Sequence, residues 1–228
     1  MNVFDTAEEA FEFYFDNISR NGVMHSGAKA IFNQCFVILD PLKADITTPW
    51  RKWSPAYVTD EWKWYSSGDP NISAFEEIRG DRNIPPIWYD HADKDGNVRS
   101  QYGWQWQRNG QIDYVIDELK RHDESRRALI TIYDGKEHDT YQHDTPCTLN
   151  YHFQIVEGKL NLTVMMRSND LVWGFCNDQY MAKNLMEQVS KELDIPVGEL
   201  TWFASNLHIY PDHLDMKSTF KEGITKRV

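Results

Sequence analysis

Between Leu149 and Met166 two apolar runs flank the dipeptide Glu157-Gly158, a pattern that reads as a β-hairpin whose second strand returns beside the first. The constraint reaches past the hairpin, because its open end must then bring Arg167 back toward Cys147, which lies in the stretch Thr145-Pro146-Cys147-Thr148. A guanidinium beside a thiol favours the thiolate, the form that attacks carbon, against a reference pKa of about 8.5. The spacing therefore predicts a candidate nucleophile and a phosphate-sized cationic anchor on neighbouring strands. Read alone, a cysteine beside a proline is packing and an arginine at a strand end meets solvent.

The rest of the chain supplies a scaffold for such a hairpin. Thr6-Ala7-Glu8-Glu9 has the capping-box pattern, and Ala10, Phe11, Tyr14 and Phe15 follow at helical spacing, so residues 6–19 are expected to be helical. Asn21-Gly22 reads as a turn, and Ala28 to Leu39 as a strand. Val58 to Ser66 is expected to be a helix that Gly68 and Pro70 end. Residues 67–104 hold Pro70, Pro85-Pro86 and Asp95-Gly96, too many breakers for long elements, and read as an aromatic-rich excursion of the kind that lines pockets. Ile112, Val115, Ile116 and Leu119 mark a helix, and Ala128 to Tyr133 a strand after Ser125-Arg126-Arg127. Met181, Ala182, Leu185, Val189 and Leu193 stripe a further helix that stops near Ile195-Pro196, and Leu200 to Tyr210 is a last strand. No repeat or linker divides residues 1–228, so one domain is expected, an α/β (α+β) unit.

Composition removes several function classes. The net charge of −11 disfavours broad binding to nucleic acid or to an anionic membrane, either of which needs an extended cationic face. A small anion held by a few arginines remains open. No window approaches about 18 uninterrupted apolar residues. The N-terminus lacks the basic-then-apolar pattern of a secretory signal, which points to the cytoplasm. Cys35, Cys147 and Cys176 are an odd number with no metal-ligand spacing, so reduced thiols and no structural metal are expected.

Several short patterns then coincide in one order: Glu61-Trp62-Lys63-Trp64-Tyr65, Tyr102-Gly103, Ser125-Arg126-Arg127, Pro146-Cys147, Met166-Arg167-Ser168-Asn169-Asp170, Gly174 to Asp178, and Leu207-His208-Ile209-Tyr210 with His213. From about residue 57 to 214 this order resembles the thymidylate synthase family, and within it the phage deoxycytidylate hydroxymethylases, which would place the chain in a host cytoplasm. The resemblance implies a mixed, twisted β-sheet covered by helices, a homodimer through the sheet face, a pyrimidine nucleoside monophosphate as substrate and 5,10-methylenetetrahydrofolate as one-carbon donor.

By the same resemblance Cys147 adds to carbon 6 of the pyrimidine and carbon 5 then takes the one-carbon unit. Glu61 matches a buried glutamate that relays protons through water, although by local sequence it reads equally as an exposed helix residue. Arg167 and Ser168 match phosphate anchors, and Arg126 and Arg127 a pair supplied by the partner subunit; locally the pair also reads as a solvated charge cluster. Asn177 falls beside the base, His208 and Tyr210 match contacts to the sugar, and Trp88, Asp170 and Gly174 lie on the folate side. Arg20 to Lys29 is where the family's N-terminal phosphate loop would fall. Met166 stands where synthases commonly carry glutamine.

The informative departure is Asp178, at the position where synthases place the asparagine that reads uracil. Uracil offers a carbonyl and an N–H, which suit an amide; cytosine offers an amine and an unprotonated ring nitrogen, which suit a carboxylate that stabilises a proton on that nitrogen. An ionised aspartate facing uracil would leave a buried oxygen without a donor, at a cost of about 1–3 kcal/mol. Asp178 also reads as a helix N-cap. The expectation is a deoxycytidylate 5-hydroxymethyltransferase, with thymidylate synthesis, dUMP hydroxymethylation and a non-catalytic nucleotide-binding relative as alternatives. The hydroxymethyl product rests on closeness to the phage enzymes and on the ending Ile224-Thr225-Lys226-Arg227-Val228, which does not match the segment that closes over folate in the synthases.

Overall fold

A computed structural model describes residues 1–137 and 144–221, so the chain ending at Ile224 to Val228 lies outside the described residues. Strand β1 (Asn2–Phe4) leads into helix α1 (Ala7–Asn21), where Thr6 accepts from the Glu9 N–H and the Glu9 carboxylate reaches back to the Asp5 N–H at 2.8 Å. Ala7, Ala10, Phe11, Tyr14, Phe15 and Ile18 are all buried, the stripe that the helical period predicts. Asn21-Gly22 ends this helix. The tight reversal falls instead at Ser26-Gly27, where φ is 49° and 80°, joining β2 (Val23–His25) to β3 (Ala28–Ile38).

Helix α2 (Pro55–Ser67) starts on a Ser54 cap with proline in its first turn and stops at Gly68, whose φ of 68° takes the chain out of the helix. The breaker-rich excursion contains α3 (Ile72–Arg79) and α4 (Pro86–His91), both short, and is followed by α5 (Tyr102–Gln107) and α6 (Gln111–Arg121). A Cβ on Gly103 would fall 1.8 Å from the Tyr65 carbonyl oxygen, so α5 lies directly on α2 because residue 103 has no side chain. Strand β4 (Leu129–Thr131) is shorter than the predicted run of 128–133.

The predicted hairpin is present as β5 (Thr148–Val156) and β6 (Lys159–Met166), with Glu157 and Gly158 at φ 51° and 74°. Thr148 pairs with Met166 at its open end. After β7 (Asn169–Asp170), a π-helical turn (Leu171–Phe175) feeds α7 (Cys176–Leu193), then come β8 (Val197–Ile209) and α8 (Met216–Lys221).

The strands form one mixed sheet in the order β1-β3-β8-β6-β5-β4, with β2 on β3 and β7 on β8. Strands β6 and β8 run parallel and are joined by α7, which covers the face bearing Leu162, Val164, Leu200 and Trp202. Helix α1 packs Phe36 and Ile38 on the same layer. Each fully buried side chain of this kind contributes about 1.5–3 kcal/mol, which makes this layer the rigid base of the molecule. Among the described residues no helix is long and apolar enough to cross a membrane, and no group of three or more His, Cys, Asp or Glu could hold a metal ion.

Candidate active site

The open end of the β5–β6 hairpin does bring Arg167 to Cys147. The Arg167 N–H donates to the Cys147 carbonyl at 2.9 Å, its guanidinium donates to the carbonyls of Pro146 at 2.9 Å and Thr145 at 2.8 Å, and Nη2 lies 3.9 Å from Sγ. The thiol is half-buried. Its ionisation corrects the expectation drawn from the arginine alone: burial pushes Cys147 up to about 11, Arg167 pulls it down, and the charges of Asp178, Asp144 and Asp170 add to the rise. Desolvation and three carboxylates outweigh one partly solvated guanidinium.

Glu61 is buried on α2, which rules out the reading of an exposed helix residue. Burial first and the charge of Asp178 second push its carboxyl up to about 8, against hydrogen bonds from Tyr65 and Asn177. Asn177 donates to Glu61 Oε2 at 3.4 Å and accepts from Trp53 Nε1 at 3.0 Å, so it orients the glutamate.

Asp178, one residue on, is likewise pushed up to about 8, by burial and then by Asp170, while a hydrogen bond from Asn169 opposes the shift. Burial therefore favours the protonated acid over the carboxylate. Uracil facing this acid would not leave a buried oxygen without a donor, as it would facing an ionised aspartate, because a neutral acid offers a donor and an acceptor together. The N-cap reading also fails: α7 begins after Phe175 with no side-chain cap, and the capping is done by Asp170, which accepts from the N–H groups of Val172 and Trp173 at 3.0 and 3.1 Å. That role engages both oxygens of the carboxylate assigned to the folate side.

Gly174 lies in the turn just before α7. A Cβ there would meet Asn169 Nδ2 at 3.2 Å and Asp178 Oδ2 at 3.3 Å, so its contribution is to leave their hydrogen bond room. His208 is buried on β8 with Nδ1 3.1 Å from Asn206 Oδ1, and burial holds its pKa below the usual value. Tyr210 is exposed and meets His208 edge-on, ring centroids 5.2 Å apart; the charges of Asp170 and Cys147 add to the burial that raises its phenol, which places it on the same cluster. Ser168 is half-buried between Arg167 and Asn169.

Trp88 on α4 donates its indole N–H to the Tyr57 hydroxyl at 2.8 Å and sits edge-on to Trp64. Tyr57 is one helical turn before Glu61, so the tryptophan borders the glutamate side of the site. Arg126 and Arg127 do not join this cluster. Arg126 is exposed, and Arg127 is held by Glu118 at 2.8 Å, which also accepts from Ser125. They belong to a separate open depression formed by residues 121–127. The Arg20 to Lys29 region forms the helix end and the β2–β3 hairpin, where Lys29 donates to the Ser19 carbonyl and Arg20 pairs with Asp16 at 3.6 Å.

Three further side chains border the cluster: Tyr102, from the stretch Tyr102-Gly103, and Arg51 and Trp202, which no motif marks. Tyr102 accepts from the Thr148 N–H at 3.3 Å and lies between Cys147 and Asp178 electrostatically. Arg51 is buried, donates to the Val172 carbonyl at 2.6 Å and lies 4.2 Å from the Trp173 ring centre. Trp202 donates to Asn169 Oδ1 at 3.1 Å. Trp202 lies in the strand expected from Leu200 to Tyr210 and Asn169 in the stretch Met166 to Asp170, but no local pattern marks an indole and an amide for each other.

Comparison with known proteins agrees with this geometry. The family described as thymidylate synthase matches residues 27–226. The thymidylate synthase of Corynebacterium aurimucosum is 31% identical over 166 residues, 69% of this chain; the chain spans 60% of the length of that relative. Among solved structures, thymidylate synthase from phage T4 superposes with a TM-score of 0.74 at 22% identity, covering 97% of this chain and 82% of that one.

Proposed function

Because the chain belongs to the thymidylate synthase family, we propose that it is a folate-dependent pyrimidine nucleotide 5-hydroxymethyltransferase that converts dCMP to 5-hydroxymethyl-dCMP. The observation that carries this reading is the placement of Asp178, a buried acid hydrogen-bonded by Asn169 and within the electrostatic reach of Cys147 and Glu61.

Cytosine's ring nitrogen is basic enough to take the proton of such an acid, and the carboxylate then left accepts from the exocyclic amine. Protonation withdraws electrons from carbon 6 and makes it a better target for sulfur. This offsets the weak ionisation of Cys147. Arg167 fixes the chain on either side of the sulfur and, with Ser168, meets the phosphate. Glu61 exchanges protons with the base through water, Asn177 orients it, and His208 and Tyr210 meet the sugar.

A folate suits the aromatic surfaces here: Trp88 is pinned by Tyr57, and Trp173 is exposed with Arg51 stacked on it. Methylenetetrahydrofolate supplies the one-carbon unit at the oxidation level of formaldehyde, so water as final nucleophile gives a hydroxymethyl group. Trp88, Asp170 and Gly174 would border it. A homodimer through the open sheet face would bring Arg126 and Arg127 of a second copy to the phosphate. That face carries half-buried Cys35, Phe203 and Met165, and Asn150 Oδ1 and His152 Nε2 are buried on it without hydrogen-bond partners among the described residues.

The neutral state of Asp178 also favours a second reading, thymidylate synthesis or dUMP hydroxymethylation, since a protonated acid can imitate the amide that reads uracil. Incubation with dCMP or dUMP plus methylenetetrahydrofolate, followed by the mass of the nucleotide product, separates them. A hydroxymethyl gain on dCMP is expected; turnover of dUMP alone would overturn the assignment. Cys147→Ser should abolish turnover and spare nucleotide binding.

A further inference from the structure

Asn169 stands between two groups whose chemistry fixes which way its amide points. Trp202 is fully buried and its indole N–H can only donate, so the Asn169 atom 3.1 Å away must be the carbonyl oxygen Oδ1. The NH₂ group is thereby turned to Asp178, with Nδ2 3.2 Å from Oδ2. Asn169 itself is only 2% exposed, and Gly174 closes the third side at a distance that admits no Cβ without pressing on both partners.

An amide donor marks Oδ2 as the accepting oxygen of the acid. The proton of Asp178 then belongs on Oδ1, and the carboxyl presents a donor and an acceptor in one set order. That order matters because the two pyrimidine edges are mirror images. Cytosine needs the donor at its ring nitrogen and the acceptor at its exocyclic amine; uracil needs the donor at its carbonyl and the acceptor at its ring N–H.

We propose that the Trp202–Asn169 pair is a specificity lock, which holds Asp178 in one donor–acceptor order and so admits one of the two base edges. Both are positioning residues: Trp202 acts through Asn169, and Asn169 through Asp178. The lock rests on the reading of Asp178 as the group that meets the base, and on that reading the edge admitted is that of cytosine.

Trp202→Phe tests it, since the ring against Phe175 is largely kept and the N–H is lost, which frees the amide to turn over. Calorimetric titration of dCMP and dUMP into the folate-free protein gives the affinity ratio, and tritium release from carbon 5 with the folate present gives the ratio of turnover. The preference for dCMP is expected to fall on the order of tenfold, mainly because dUMP binds more tightly. An unchanged ratio in a folded variant overturns the lock. If that variant does not fold, Asn169→Leu removes the donor at similar bulk, and the same ratio decides. A native protein that binds and turns over neither nucleotide overturns both the lock and the function it rests on. A native preference for dUMP that the substitutions erase sustains the lock and overturns the cytosine assignment.

Discussion

Arg167 grips the chain on both sides of the Cys147 side chain, by its own backbone and by its guanidinium at once: the N–H meets the Cys147 carbonyl, and the guanidinium meets those of Pro146 and Thr145. The cation proposed to meet the phosphate is thus also a clamp on the proposed nucleophile. Arg167→Lys keeps the charge and loses the planar fork that meets two carbonyls together. We expect kcat/KM to fall about 100-fold or more, in line with the cost of displacing a reactive group by about 1 Å. Arg167→Ala should in addition slow alkylation of Cys147 at every pH below its midpoint, because the guanidinium that lowers this thiol's pKa is gone. Iodoacetamide labelling of a Cys35→Ser background as a function of pH measures this; an unchanged profile would remove the electrostatic role.

The paired acids make stability depend on pH in a fixed direction. Glu61 and Asp178 sit near 8 in the folded chain, against 4.5 and 3.8 for the free side chains. Below about pH 4 both states are protonated and the groups have their full stabilising effect. Between there and pH 8 the unfolded chain loses protons that the folded chain keeps, so stability declines as pH rises and levels off above. Asp178→Asn removes one of the two penalties. It should raise stability by several kcal/mol at pH 9 and change it little at pH 4. Urea midpoints across that range test the sign, and a variant less stable at pH 9 than the native chain would contradict it.

Much of this site is legible in the sequence. Glu157-Gly158 set the register that joins Arg167 to Cys147, and the stripes on α1 and α7 set the layer behind the sheet. What was not legible came from pairs far apart in sequence. Strands β1 and β2 have three residues each, too few for an alternation to register. Arg51 meets Val172 across 121 positions, and nothing in Trp50-Arg51-Lys52 marks a buried cation. The ionisation of Cys147 went the other way from the arginine argument because carboxylates at 144, 170 and 178 converge on it only in the fold.

Asp60, next to Glu61, is a further feature with no local signature. Its side chain is almost fully buried and meets Arg79 at 3.1 Å, Arg82 at 2.6 Å and Lys63 at 3.4 Å, tying α2 to α3 and the loop after it. Asp60→Asn leaves Arg79, itself nearly buried, without its counter-charge. The expected loss is about 3 kcal/mol, the scale for removing one partner of a buried ion pair. Urea unfolding at neutral pH checks it. A loss within about 0.5 kcal/mol would place the pair among exposed ion pairs of small effect.

Gly174→Ala is the most local probe of how the acid is held. The added methyl would stand 3.2 Å from Asn169 Nδ2 and 3.3 Å from Asp178 Oδ2, closer than most Cβ contacts, and neither atom can retreat freely. Asn169 is tethered to Trp202, and Asp178 is anchored in the first turn of α7. The strain should appear as a modest loss of stability, about 1–2 kcal/mol on the scale of an overpacked core. The larger effect is expected on nucleotide affinity, since the hydrogen bond that stretches is the one that orients the acid. Calorimetric titration of dCMP against a melting curve of the same sample separates the two: affinity should fall at least tenfold while the transition stays cooperative, and a variant that melts earlier but binds as before would confine Gly174 to packing.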